Sequence, residues 1–571
     1  MSLFALHLTS LVSNFRRRIH AFCSDGHKLS CSTQVYQRYK MGAFFTSLIK
    51  NSAIVGAMLF IYKTLALQPQ GTLFNILKSW VFYTLTKTDE LRRRFLSRDM
   101  LVDEGNIPVI TLFHAPSDPH STVLLQALKV LVTRYNVRIL PKIVSPLLDQ
   151  EIAGHSAEYK TQWEWAVKDC QAMAKTHGLK PLEVSNSAEI EFEDFNSNSL
   201  AYDMVLVEIV EHLFEDQRSS STSKDSNGLS PTNCIKFLDT AIQIGNLLFS
   251  TTGKSNESKS SNSKINGRLH DMDKSNKRRC RNIIVSNIEA LKKLGHYLPG
   301  MLYMKPDFYW GVDRLFHLEK RLLKHNLGQL NHQRPLFTQN YNLRALKVPN
   351  IHNIKVRPPS NKIVMYYSFR SPYSQLAVDR IYKLGNAWDI PVETKPVLPM
   401  VMRGLPVKPK KGFYIMSDAM RESYQIGFPW GSFSDPVGAG TIRAFVLWFK
   451  YVVPEKKEEA FLRSFSICVW SKAIDPATDA GMKIIVEKAG LDWNIAQVYL
   501  QSNHGLGDNS WREFEKSNQK EMSSLGVWGV PSFTYGNDHV FWGQDRIRAL
   551  EDAIVEDVGG GTTVLPRGNR L

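Results

Sequence analysis

At 571 residues, with 43% hydrophobic and 22% charged side chains, the chain has room for roughly two to four domains and an ordinary globular composition. The formal charge of +17 is concentrated in the N-terminal leader and a polar insert rather than along one helical stripe, which argues against a nucleic-acid partner. The six cysteines (Cys23, Cys31, Cys170, Cys234, Cys280 and Cys468) form no C-x-x-C pair and do not cluster with histidines at metal-ligand spacing, so a dithiol exchange centre and a metal site are not expected.

In chain order, residues 1–40 form a leader with Arg16, Arg17 and Arg18 and no acid before Asp25. That fits a weak mitochondrial-type presequence, and equally a segment ahead of a true start at Met41. Residues 41–105 are read as N-terminal helices. The most apolar stretch, 51–67, has a charge-free run of only twelve residues between Lys50 and Lys63. A spanning helix needs about 20, so a packed or membrane-surface helix is expected, with peripheral membrane contact through residues 46–67.

Residues 106–330 form the first domain. VITLF reads as a strand, HAPSDP as a polar loop, the segment after Pro119 as an amphipathic helix, and YNVRILPKIV as a second strand. A helical region follows at about 151–295. Within it, 219–281 is largely Ser, Asn, Lys and Gly and is expected to be disordered, apart from an apolar helix at 234–249. KRRCR at 277–281 reads as a solvated basic loop rather than a localisation signal. Residues 331–360 are the linker, 361–558 the second domain and 559–571 a Gly-rich flexible tail.

The second domain opens with IVMYYSFRSPYS: five apolar or aromatic residues, a polar break, then Pro372 leading QLAVDRIYKL. This is strand, tight loop, helix, and it sets Ser371 and Ser374 at a helix N-terminus, where N–H groups and the dipole favour an anion. A plain capping serine would look the same. Downstream, Gly529-Val530-Pro531 precedes a strand at Ser532 to Tyr535; Val540-Phe541-Trp542 follows, then Gly543-Gln544-Asp545-Arg546 opens a last helix. Residues 298–322 lie over 530–554 without a gap, matching Pro299 to Pro531, Trp310 to Trp542, and Gly311, Asp313 and Arg314 to Gly543, Asp545 and Arg546. Such internal repetition predicts a tandem.

The Ser-Pro-Tyr-Ser turn, the Gly-x-Pro and the Gly-x-Asp-Arg together resemble the kappa-class glutathione transferases and 2-hydroxychromene-2-carboxylate isomerases, in the DsbA branch of the thioredoxin-like fold. The resemblance covers about residues 361–556. It implies an α/β fold of two tandem thioredoxin-like, DsbA-type domains, each with a helical insertion. It also implies a cis peptide before Pro531 and, by the repeat, before Pro299. The activity implied is a glutathione-dependent transfer or isomerisation on a small electrophile. Ser371 would hold the thiolate, and Val530 and Pro531 would present backbone to glutathione. Gln544 and Asp545 would meet its γ-glutamyl end, with Gln544 standing where the kappa pattern has serine. Asp545 could equally be a helix cap. Arg403, Lys408, Lys410 and Lys411 are left unassigned.

The first domain has Asp118 where the second has Ser371, and a carboxylate there repels a thiolate. It is read as a degenerate copy whose pairing with the second domain takes the place of a homodimer. Two rival readings stand beside the enzyme: a non-catalytic scaffold of two decayed domains, and a thiol–disulfide oxidoreductase, which the missing C-x-x-C disfavours. The thin cysteine usage suits an intracellular, reducing compartment, mitochondrial or cytoplasmic.

Overall fold

The computed structural model describes residues 107–148, 159–182, 192–220, 228–249, 267–268, 271–325, 327–328, 334–341, 343, 361–404, 409–501, 510–536 and 539–559. The leader, the 46–67 segment and the tail beyond 559 lie outside the described residues, as does most of the 331–360 stretch.

In the N-terminal half, strand β1 (Val109–His114) is followed by helix α1 (Pro119–Arg134) and strand β2 (Arg138–Ile143). A helical layer comes next: α2 (Tyr159–His177), α3 (Phe192–Ser220), α4 (Pro231–Phe249) and α5 (Lys274–Leu294). The chain then returns to the sheet as β3 (Met301–Met304) and β4 (Asp307–Trp310) and ends on α6 (Leu315–Lys324). The C-terminal half repeats the plan with β5 (Ile363–Tyr367), α7 (Pro372–Trp388) and β6 (Val392–Pro396). Its helical layer is α8 (Pro409–Ile426), α9 (Ala439–Leu447), α10 (Glu458–Lys472), α11 (Asp479–Lys488), α12 (Trp493–Leu500) and α13 (Ser510–Ser524). It closes with β7 (Ser532–Tyr535), β8 (His539–Trp542) and α14 (Ile547–Gly559).

The two sheets share one order, β2-β1-β3-β4 and β6-β5-β7-β8. In each, the first two strands run parallel and the remaining pairs antiparallel. β5 is buried along its whole length with a core on each face, which is why IVMYY is a continuous apolar run rather than an alternating one. Ile363, Met365 and Tyr367 face the larger core with α7, α10 and α14, while Val364 and Tyr366 face a smaller one with Met522 and Val527 beside α13. The turn from β5 to α7 is set by ordinary capping: Ser371 is the N-cap and Pro372 the first helical residue, and Asp389 ends the helix in the left-handed region at φ 54.

Three expectations are corrected. Residues 277–281 are not a solvated loop but part of α5, capped by Asp273 accepting from Asn276 N–H. Cys280, Ile284, Asn287, Ile288 and Leu291 form a buried stripe at helical spacing. The basic residues occupy the other face, and their density hid the period. Second, the segment taken for linker contributes to the interior. Glu319 accepts from the backbone N–H groups of Leu336 and Phe337 at 2.7 and 2.9 Å, and Asn340 is buried between the halves. Third, the cis peptides are Val530-Pro531 and Lys305-Pro306, and Leu298-Pro299 is trans. At that corner the chain turns instead at Gly300, whose φ of 65 suits glycine. A Cβ on Gly300 would stand 3.2 Å from Ser121 Cα.

Candidate functional site

The helix start of α7 and the loop before β7 meet at one hydrogen bond. Ser371 Oγ accepts from Ser374 N–H at 3.2 Å and donates to the Val530 carbonyl at 3.2 Å. The turn beneath is stiffened by Gln375, whose amide donates to the carbonyls of Ser368 and Ser371 and whose oxygen accepts from Tyr367 and Ser466 at 2.7 Å each. Sequence-distant residues Ser371, Val530 and Pro531 are thus brought together. Ser371 and Val530 stay partly accessible, while Pro531 is buried. Gly529 is required at its position: a Cβ there would stand 2.2 Å from the Trp542 ring.

The structure does not leave Gln544 and Asp545 open beside Ser371. Gln544 is buried; its amide donates to Glu422 at 2.9 Å, and Arg380 donates to its backbone carbonyl at 2.9 Å. Asp545 accepts from Arg314 at 2.9 and 3.2 Å, a guanidinium from the N-terminal half. Burial, helped by the neighbouring charges of Asp313 and Glu422, pushes the Asp545 carboxyl up to about 7 against the pull of Arg314. Nor is Asp545 a side-chain cap for the turn that precedes α14. Of the unassigned basic residues, Arg403 donates to the Trp528 carbonyl at 3.1 Å, and Lys411 sits 5.1 Å over the Tyr297 ring. The side chains of Lys408 and Lys410 lie outside the described residues.

What the sequence did not reveal is a reciprocal exchange between halves. Arg314 crosses to Asp418 on α8, donating at 2.8–2.9 Å to both carboxylate oxygens. Arg546 crosses the other way to Asp169 on α2, donating at 2.6 and 2.7 Å, and to Asp313 at 2.8 Å. Each aspartate also binds the second helical residue of its own half: Asp169 pairs with His120 and Asp418 accepts from Tyr373, both at 2.8 Å. Burial works against the charged forms, yet the guanidiniums prevail and hold Asp169, Asp313 and Asp418 below the usual carboxylate range. One signal was legible: Trp165 and Tyr414 each stand four residues before these aspartates, an aromatic-x-x-x-Asp spacing shared by α2 and α8.

The corresponding corner of the N-terminal half is filled. Asp118 caps α1 by accepting from Ser121 N–H at 2.6 Å, and burial raises its pKa while His120 opposes. In the register of the repeat, Tyr297 replaces Gly529; its ring lies against His296, which in turn meets Tyr414 from α8 at 4.3 Å. Among the described residues no group of side chains could hold a metal ion, and Cys170, Cys234, Cys280 and Cys468 are buried free thiols, of which Cys170 lies against His120, the second residue of α1.

Comparison with known proteins bears on the C-terminal half. The model of the DSBA-like thioredoxin domain matches residues 362–555. Glutathione S-transferase kappa 1 of Homo sapiens is 25% identical over 214 residues, 35% of this chain and 93% of the relative. The 2-hydroxychromene-2-carboxylate isomerase of Pseudomonas putida is 26% identical over 202 residues, 33% of this chain and 92% of the relative. A solved structure of a 2-hydroxychromene-2-carboxylate isomerase aligns over 34% of this chain and 93% of its own, at 21% identity and a TM-score of 0.29. Residues 362–555, about one third of the chain, are therefore a DsbA-like thioredoxin domain with kappa-class transferases and hydroxychromene-carboxylate isomerases among its relatives.

Proposed function

We propose that the C-terminal half is a glutathione-dependent transferase or isomerase acting on a small electrophile, with Ser371 activating the thiol. The observation that carries this reading is the bond from Ser371 Oγ to the Val530 carbonyl. It sets a helix-cap hydroxyl against the loop before Pro531, so that a thiol placed there meets both. The relatives' names supply the reaction class, since one is a glutathione transferase and the other an isomerase.

The residues fit the thiol end of glutathione. When bound, glutathione supplies a sulfur nucleophile that adds to an electrophilic carbon and either remains as a conjugate or is eliminated again. Ser371 turns its hydroxyl proton from the Val530 carbonyl toward the sulfur, and the N-terminus of α7 adds a positive partial charge. Both favour the thiolate over the thiol and lower the thiol's pKa. The Val530 backbone pairs with the peptide as an added strand would. Asp545 receives the ammonium group only by sharing oxygens with Arg314, which a carboxylate's several acceptor sites permit.

In this reading the N-terminal half is a second, degenerate DsbA-like domain that serves as an internal partner, in place of a second subunit. The shared strand order and the crossed Arg314–Asp418 and Arg546–Asp169 pairs support it. The engagement of Gln544 and Asp545 by protein groups favours a second reading, a scaffold that binds no glutathione. Ultraviolet difference spectra decide between them. The enzyme reading expects a thiolate band on adding glutathione at neutral pH, and conjugation or isomerisation of a test electrophile. No band and no binding leave the scaffold.

A further inference from the structure

Three tryptophans surround the loop that carries Val530, and one of them belongs to the other half of the chain. Trp528 and Trp542 meet edge to face at 4.3 Å, and Trp165 from α2 meets Trp542 at 4.9 Å. Trp165, Val530 and Trp542 pack together against the small core of the C-terminal half. All three tryptophans and Val530 are only partly buried. Val530 is in turn bonded to Ser371.

The position of Trp165 is fixed from both sides. One turn along α2, Asp169 is held by Arg546 of the C-terminal half and by His120. The His120 ring lies 6.1 Å from that of Trp165. Trp165 is thus carried across on α2 to the Trp542 ring beside Val530 and stays partly exposed there. The N-terminal half shows the contrast: Tyr414 crosses in the reciprocal sense, but there Tyr297 and His296 fill the space.

We propose that Trp165 is a specificity-determining wall of the C-terminal site, lent by the N-terminal half and stacking a flat apolar group of the electrophile beside Ser371. The proposal rests on the glutathione reading for the identity of the nucleophile, but not for the wall itself. An edge or face contact to a flat group, worth up to about tenfold in affinity, is available to an aromatic substituent and not to a methyl group.

The test uses the full chain and compares S-benzylglutathione with S-methylglutathione by calorimetry. Trp165→Ala is expected to weaken the benzyl conjugate about tenfold relative to the methyl conjugate, and Trp165→Phe to keep most of the preference. An unchanged benzyl-to-methyl ratio, or an equal loss of both, overturns the proposal. Equilibrium dialysis of naphthol without glutathione is the second arm. If wild type binds neither conjugate, the glutathione reading fails, and the wall stands only if naphthol binds wild type and Trp165→Phe but not Trp165→Ala. Equal naphthol binding by all three proteins, or none by wild type, then overturns the wall as well.

Discussion

Replacing Arg546 by methionine tests how the halves are held. The guanidinium is 4% exposed and Asp169 1%, so this pair is shielded from water and from salt screening. Its three nitrogens donate to Asp169 and Asp313 at 2.6–2.8 Å. Methionine fills much of the volume but leaves Asp169 with only its His120 contact and Asp313 with Asn340, which donates at 2.8 Å. Removing one partner of a buried pair costs about 3–5 kcal/mol, because the other charge stays buried. A loss of that size is a large part of the roughly 5–15 kcal/mol that holds a domain folded. Guanidinium unfolding followed by circular dichroism and tryptophan fluorescence should show an earlier transition for Arg546→Met, with the two probes no longer coincident as the halves uncouple. Arg546→Met with Asp169→Leu should cost less than the sum of the singles, since the stranded carboxylate is gone. A midpoint shift equivalent to under about 1 kcal/mol, the range of exposed pairs, would refute the argument that these crossed pairs bind the halves.

Two further outcomes are expected. Asp203 is fully buried on α3, and burial pushes its pKa from 3.8 to about 8, with Ser145 pulling the other way. An acid whose folded pKa is raised loses stability as pH climbs from the unfolded value through the folded one. Asp203→Asn should therefore be the more stable protein between pH 4 and pH 8, by at most about 4 kcal/mol at pH 7; urea midpoints that change identically with pH in both proteins count against it. The helix starts at Asp118 and Ser371 carry no thiol, so insulin reduction and dithiol oxidation should be undetectable. Activity that survives replacement of Cys170 and Cys468 contradicts the reading of both sites.

Much of the C-terminal half was legible because its signals are local. The five-residue apolar run of β5, the Ser371-Pro372 start of α7 and the Gly529-Val530-Pro531 corner each fit within a few residues, and the structure places them as read. The gapless repeat pointed to a tandem, and the two sheets share one order. The roles of Asp169, Asp418 and Trp165 were not legible, because their partners are far off in sequence: Arg546 and Asp169 are 377 residues apart. Asp545 was read as open to a ligand because nothing near it in sequence announces Arg314. The first turns of α5 were misread for another reason. KRRCR carries charge on the solvent face, and the eye follows the charge rather than the Cys280–Ile284–Ile288–Leu291 stripe.

The central claim is that the Ser371 hydroxyl holds a thiolate, and Ser371→Ala tests it most directly. The substitution removes one acceptor for Ser374 N–H and one donor to Val530, both at 3.2 Å. Losing the cap costs only about 1 kcal/mol, so the fold should survive. The thiolate, however, loses a donor worth roughly 1.5–3 kcal/mol to a charged acceptor, which raises the pKa of bound glutathione by about one to two units. The α7 dipole remains, so turnover should fall more than binding. Titrating the thiolate absorbance of the complex against pH, in wild type and Ser371→Ala, should show two curves displaced by that amount, with the mutant to the alkaline side. Superimposable curves would contradict the account and remove Ser371 from the chemistry.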